Sequence, residues 1–267
     1  MKPMHPEKIN RKRTNLFIVL SGIFLTNAIL AELVGVKIFS LENTLGMAPA
    51  QLNLLDDWVL DFNLTAGVVL WPVVFITTDI INEYFGKRGV RKITFLTAIF
   101  IAYIFVMIYL ITKLPPADFW LDVNRQDAND PGFNINYAFR TIFQQGLGII
   151  IGSLTAFLIG QLLDVFVFQK LRLITGKRMI WLRATGSTLI SQLIDSFVVL
   201  YIAFYIFRNW SIEQVVSVGI VNYIYKFLIA IFLTPTLYIA HYLIDKYLGK
   251  ELSEDMMAKA SKDTSFF

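Results

Sequence analysis

Six long apolar stretches, joined by short polar segments, limit what this chain can fold into more severely than any other feature of it. They cover about Leu16–Phe39, Leu64–Phe85, Ile93–Leu114, Thr141–Phe168, Ala184–Phe207 and Val218–Tyr247. An α-helix crosses the hydrocarbon core of a bilayer, about 30 Å thick, with roughly 20 residues, and each stretch is long enough. A backbone in lipid must satisfy its own hydrogen bonds, which leaves helices as the solution for runs of this length. Of the 267 residues 56% are hydrophobic and only 16% charged, more apolar surface than a soluble domain of this size can bury. The expected fold class is all-α, a polytopic membrane protein with six transmembrane helices.

The charges between the stretches alternate. Lys2, Lys8, Arg11, Lys12 and Arg13 precede the first helix, and the next segment, Ser40–Asn63, has no Lys or Arg but holds Glu42, Asp56, Asp57 and Asp61. GKRGVRK then places Lys87, Arg88, Arg91 and Lys92 in one tight turn. The loop Lys113–Arg140 is mainly acidic, the following one carries Lys170, Arg172, Lys177, Arg178 and Arg183, and the last short loop has Arg208 with Glu213. In all, eighteen Lys and Arg fall on one side of the expected membrane and four on the other. The positive-inside rule then puts both termini in the cytoplasm, N-in and C-in. Residues 1–15 read as a basic cytoplasmic tail, 16–247 as the six-helix transporter domain and 248–267 as a polar cytoplasmic tail, disordered from about Leu252. The first stretch contains Asn27 and Glu32 and no small-residue cleavage site of the usual form, so it reads as a retained helix rather than a signal peptide. Basic clusters flanking spans serve topology and lipid headgroups, so no direct nucleic-acid partner is expected. The Pro-containing segment 115–131 reads as a mobile loop.

Within the fourth stretch, QQGLGIIIGSLTAFLIGQLLD sets Gln144, Gly148, Gly152, Ala156, Gly160 and Asp164 four residues apart. One helix face therefore carries a groove of small residues that ends in a carboxylate. In a bilayer such a groove lets a neighbouring helix backbone approach closely. GSLTAFLIGQLLD is echoed by GSTLISQLID, Gly186–Asp195, so Gln161 with Asp164 and Gln192 with Asp195 each present an amide and a carboxylate on one face. Asp79, in the run TTDIINEYFGK, lies roughly 12 Å along its helix from Lys87, Asp164 roughly 9 Å from Lys170 and Asp195 roughly 18 Å from Arg183. These spacings put three carboxylates on three helices between the cytoplasmic boundary and the midplane, where an ionisable group marks a functional site. Glu83 reads as interfacial. Lys226 either snorkels to the outer surface or neutralises a buried carboxylate. Asn27 and Asn222 read as pocket lining, and Pro72 and Pro235 as places where a helix opens and frees a carbonyl.

Other chemistries are poorly supported. The chain has no Cys, only two His, of which His241 reads as structural, and no G-x-x-x-x-G-K-[ST] phosphate loop. No metal, cofactor or enzymatic nucleophile is expected. Carboxylates, amides, hydroxyls and aromatic faces together suit a planar hydrogen-bonding heterocycle, with sugars and amino acids fitting the composition nearly as well.

The runs LTAGVVLWPVVFITTDIINEYFGKRGVRK, IGQLLDVFVFQKLR, TGKRMIWLRATGSTLISQLIDSFVVLYIAFY and NYIYKFLIAIFLTP resemble the queuosine precursor transporter family of the vitamin uptake transporter group, over roughly Asn15 to Tyr247. The resemblance implies an importer in the cell inner membrane for 7-deazaguanine bases such as preQ0, preQ1 or queuine, salvaged into modified transfer RNA. It matches Asp79, Gln161, Asp164, Ser187, Thr188, Asp195 and Lys226 to positions of the family pattern. Together with Gln192 from the echo, the expected substrate-binding set is Asp79, Gln161, Asp164, Ser187, Gln192, Asp195 and Lys226. Partners expected are the base, the bilayer and optionally further copies of the chain. The group is also similar to the substrate-binding subunits of energy-coupling-factor transporters, which leaves as alternative a subunit that works only with a separate ATPase.

Overall fold

The computed structural model describes residues 6–35, 37–55, 58–125, 133–144, 147–175, 179–207 and 209–262. Helix α1 (Pro6–Val34) leads into strand β1 (Ile38–Ser40), the single turn α2 (Leu41–Thr44) and strands β2 (Leu52–Leu55), β3 (Trp58–Leu60) and β4 (Asn63–Thr65). A 3₁₀ turn, Ala66–Val69, opens α3 (Trp71–Ile111); α4 (Asp118–Val123), α5 (Ile135–Phe143), α6 (Leu147–Thr175), α7 (Ile180–Leu200, prolonged by a π-helix to Ile206), α8 (Ile212–Leu248) and α9 (Lys250–Lys262) follow. Among the described residues, five helices are long and apolar enough to cross a membrane: α1, α3, α6, α7 with its π-helix, and α8. Side chains such as Ile99, Val106, Phe232 and Ile239 are exposed on the outside of the bundle, the inside-out distribution that lipid permits.

The second and third apolar stretches are the two helical arms of α3, joined without a loop at Gly86. That residue has φ 68° and ψ −169°, a conformation essentially reserved for glycine. The arms on either side run in opposite senses along α1. Gly67, before the first arm, abuts the Ala31 carbonyl and the Phe85 ring lies tilted against that of Phe17 with centroids 4.9 Å apart, so this arm is antiparallel to α1. On the second arm Gly89 lies beside Phe17, and Phe100 shares an apolar groove with Leu25 and Leu33, so that arm runs parallel to α1. The chain thus doubles back at one residue, and the expected GKRGVRK turn is helical except for its first glycine.

Leu16, Leu20, Phe24 and Ala28 bury one stripe of α1 in this core, a four-residue period that matches one helix face. The small-residue groove of α6 receives α7 in antiparallel register. A Cβ on Gly152 would lie 3.1 Å from the backbone N of Ala203 and 3.2 Å from the Val199 carbonyl, and Ala156 is buried. One difference from expectation is the upper end of this stripe. Gln144 caps the separate helix α5 and donates to Thr112 Oγ1 at 2.8 Å, so it does not belong to the α6 face.

The segments between helices sort to two ends of the bundle. At one end lie the two small antiparallel sheets, β1 with β4 and β2 with β3. Glu42 organises them. Buried beside the hairpin, its carboxylate accepts from the Phe62 N–H at 2.6 Å, Ser40 Oγ at 3.0 Å and the Ala50 N–H at 3.4 Å. The Phe62 N–H above all holds the Glu42 carboxyl below the usual carboxylate range.

At the other end α1 begins and α8 finishes. Lys12 donates to the Tyr247 and Leu248 carbonyls, supplying positive charge at the C-terminus of α8. Gly249, at φ 90°, turns the chain into α9. This corrects the expected disordered tail: Leu252, Ser253, Met256 and Ala260 are buried, and Ala260 packs on the Gly86 break. The tail composition is polar overall, but its apolar residues recur at a helical spacing and find a face to cover. Other expectations are met differently. Pro72 lies in the first turn of α3, where it opens nothing, and Asn27 donates to the Ile23 carbonyl of its own helix. Residues 126–131 of the expected mobile loop lie outside the described set, while 118–123 form α4.

Candidate functional site

The first arm of α3 carries Thr77, Thr78, Asp79, Asn82 and Glu83, all buried. Residues four apart share a helix face, so Thr78 and Asp79 form one polar layer and Asn82 and Glu83 the next. The face turns toward α6 and α7, and three polar layers follow along the seam these helices form.

In the innermost layer Glu83 Oε1 lies 2.7 Å from Arg183 Nη2 and 3.3 Å from Arg172 Nη2. Arg172 also donates to the Met257 carbonyl on α9 at 2.7 Å and to the Asn82 carbonyl at 3.3 Å, while Gln169 donates to Asn82 Oδ1 at 2.6 Å. The guanidinium of Arg183 lies over the Phe168 ring. The sequence reading placed Glu83 at the interface and both arginines among the topogenic charges; the structure buries all three. Nearby, Tyr84 joins His241 at 3.0 Å and donates to Asp245 at 2.7 Å, with Ser253 of α9 donating to the same carboxylate oxygen. His241 is thus one strut in the packing of α3, α8 and α9.

The middle layer holds four of the expected residues. Thr78 Oγ1 donates to Gln161 Oε1 at 3.3 Å as well as to the Val74 carbonyl at 2.8 Å. Ser191 donates to Asp164 Oδ1 at 3.3 Å, and the hydroxyls of Ser187 and Thr188 turn toward the same carboxyl. The Asp79 carboxyl is close enough to Asp164 to feel its charge. Among the described residues Asp79 Oδ1 and Asp164 Oδ2 have no hydrogen-bond partner. Asp79 and Thr188 line a cavity of about 20 Å³ between α3, α7 and α8, closed on the α8 side by Leu233, Thr234 and Leu237. A cavity of that size holds about one water, whereas ligand pockets run to several hundred Å³.

One turn further along the seam, Asp195 packs on Gly160, whose absent side chain leaves it room, and pairs with Lys226 of α8 at 2.5 Å. This settles the two expectations for Lys226 in favour of neutralising a carboxylate. Gln192 is buried on α7 one turn before Asp195. Glu32, on α1, bonds Ser153 of α6 and lies close enough to Asp195 to interact with it.

The seven expected residues therefore fall on four helices but divide between two adjacent layers. Four participants were missed. Ser191 could have been found, because Ser187, Ser191 and Asp195 repeat at four residues opposite the glycine stripe. Glu32 carried the signal of an acid in an apolar run. Arg172 and Arg183 carried none, since local sequence cannot separate a basic residue that flanks a span from one drawn into it.

Residues 65–240 match the protein family described as "Putative vitamin uptake transporter". Among curated proteins, the chain is similar to a "Probable queuosine precursor transporter" of Bacillus subtilis, 31% identical over 68% of this chain and 75% of that one. It is also similar to a protein of the same description from Haemophilus influenzae, 29% identical over 64% and 66% of the two chains. A "Queuosine precursor transporter" of Escherichia coli is 30% identical over 65% and 70%. No solved structure matches the chain. Buried carboxylates on three packed apolar helices and these matches lead to one assignment: the chain belongs to the vitamin uptake transporter family, and is a multi-pass membrane transporter rather than an enzyme.

Proposed function

We propose that the protein imports queuosine precursors, 7-deazaguanine bases such as preQ0, preQ1 or queuine, across the cell inner membrane for salvage into transfer RNA. The observation that carries this reading is the convergence of Asp79, Asp164 and Asp195 from three helices on one seam, with amides and hydroxyls around them. A deazaguanine edge presents a ring N–H and an amino group side by side, the donors that a carboxylate accepts from, and Gln161 and Gln192 supply amides for the ring carbonyl and nitrogen. The relatives' descriptions point to the same substrate class. In this reading the chain crosses the membrane six times, the two arms of α3 counting separately, with the basic end of the bundle in the cytoplasm.

The cavity beside Asp79 is too small for a bicyclic base, so the base enters only if a wall moves. The candidate is α8. Pro235 has no N–H, which leaves the Ile231 carbonyl without its helical donor and weakens the helix opposite the cavity. The Thr185–Thr234 contact, 3.1 Å, is the hydrogen bond that such a movement breaks. The experiment is salvage in cells unable to make the precursor. Asp164→Asn and Asp195→Asn proteins present at normal levels are expected to lower queuosine in transfer RNA at least tenfold; full restoration by both overturns the site. Uptake by purified protein in liposomes without ATP separates a self-sufficient importer from one needing an ATPase.

A further inference from the structure

The middle layer has a charge imbalance that the base does not explain. Along the stretch where α3, α6 and α7 meet, the charged groups are Asp79 and Glu83 from α3, Asp164 and Arg172 from α6, and Arg183 from α7. Glu83 is engaged by both guanidiniums, and the charge of Arg183 also reaches Asp79. From α8, Lys226 is committed to Asp195, His241 and Asp245 are tied up by Tyr84, and the cavity wall offers Thr234 and apolar side chains. Three carboxylates thus face two guanidiniums, and the excess negative charge falls on Asp79 and Asp164. Each carboxyl is more than nine-tenths buried with one oxygen lacking a partner among the described residues. Two such groups in a low-dielectric interior cannot both hold their charge unless a positive charge joins them.

We propose that Asp79 and Asp164 form the binding site of one monovalent cation, a proton or a sodium ion, and that its movement drives import. The cavity has room for a single water-sized particle beside Asp79, and Thr188 both lines it and reaches toward Asp164, which supplies a hydroxyl oxygen between the carboxylates. The site is separate from the Asp195–Lys226 pair one turn away, where the Asp195 carboxylate has its own cation. The driving role rests on the importer reading; the binding site does not, because it follows from charge and geometry alone.

The test has two parts. Melting temperature of the purified detergent-solubilised protein is measured without base, against sodium chloride at fixed pH with choline chloride as control, and against pH in sodium-free buffer. Binding to the folded state is expected to raise it by roughly 5 °C at saturation, with sodium in one arm or protons in the other. Asp79→Asn and Asp164→Asn should flatten that dependence, and Asp195→Asn should keep it. A wild-type melting temperature indifferent to sodium, together with a pH profile unchanged by Asp79→Asn or Asp164→Asn, overturns the site whatever the variants' yield. In liposomes, a tenfold inward gradient of the cation at zero membrane potential should concentrate labelled preQ0 about tenfold, if one cation moves with one neutral base. Exchange of preQ0 without any response to either gradient overturns the driving role and leaves the importer reading intact. Absence of preQ0, preQ1 and queuine exchange overturns the importer reading and its driving role, and the melting experiment then decides the site alone.

Discussion

The layer around Glu83 and the layer around Asp79 and Asp164 lie about one helical turn apart on the same helices, equally buried, yet they are built on opposite principles. Around Glu83 one carboxylate oxygen meets two guanidiniums, and Arg172 also reaches carbonyls on α3 and α9. Around Asp79 two carboxyls meet hydroxyls, with a small cavity beside Asp79, and among the described residues Asp79 Oδ1 and Asp164 Oδ2 have no hydrogen-bond partner. Buried charge that is matched holds helices in place. Buried charge left unmatched costs stability, and a sequence retains it where something must bind. Depth in the membrane alone therefore does not distinguish the two layers; the state of the charge balance does.

The largest effect should come from breaking the balanced layer. Glu83→Gln leaves two buried guanidiniums facing a neutral amide, and the loss of one partner of a buried pair costs about 3–5 kcal/mol. The variant should show a much lower melting temperature and folded yield, with α9 protected less against hydrogen exchange. Asp164→Asn tests the other layer, and there the folded state should be as stable as wild type or more so, since an uncompensated charge has been removed. If Asp164→Asn unfolds the protein as readily as Glu83→Gln does, the distinction between the layers fails.

A smaller effect probes the seam that carries both layers. A methyl on Gly152 would press on the backbone of α7 at 3.1 and 3.2 Å, whereas one on Gly160 meets Asp195 side-chain atoms no closer than 3.5 Å. Gly152→Ala should therefore cost about 1–3 kcal/mol and Gly160→Ala less, read as two melting temperatures.

The smallest effect concerns a further buried carboxylate, Glu42, which is satisfied by backbone N–H groups rather than by cations. Its folded-state pKa is depressed, chiefly by the Phe62 N–H, so the stability it lends is present above the ordinary carboxylate range. That contribution disappears as pH falls through the depressed value. Protection of the Phe62 amide against hydrogen exchange, taken relative to the intrinsic rate at each pH, should fall on acidification in wild type, and it should be low and insensitive to that change in Glu42→Gln.

Much of this was legible beforehand for a physical reason. The Gln161–Asp164 and Gln192–Asp195 pairs, and the glycine stripe of α6, are patterns of one helix read at its own period, and a helix in lipid keeps that period wherever it packs. Gln144 was misread because nothing in the four-residue stride shows that the helix starts only at Leu147. The tail beyond Leu252 was misread because its average polarity hides the alternation that buries Leu252, Met256 and Ala260.

The sequence by itself determined that the chain lives in a bilayer, which side of it gathers the positive charge and which helices bear carboxylates, since transfer of side chains from water to lipid depends on composition over a single span. Tertiary structure alone decided which carboxylates keep a counter-charge. That Lys226 serves Asp195, that Arg172 and Arg183 serve Glu83 and that Asp79 lies within reach of the charge of Asp164 are matters of distance between helices far apart in the chain. Electrostatic energy in a low-dielectric interior depends on those distances and is indifferent to sequence separation.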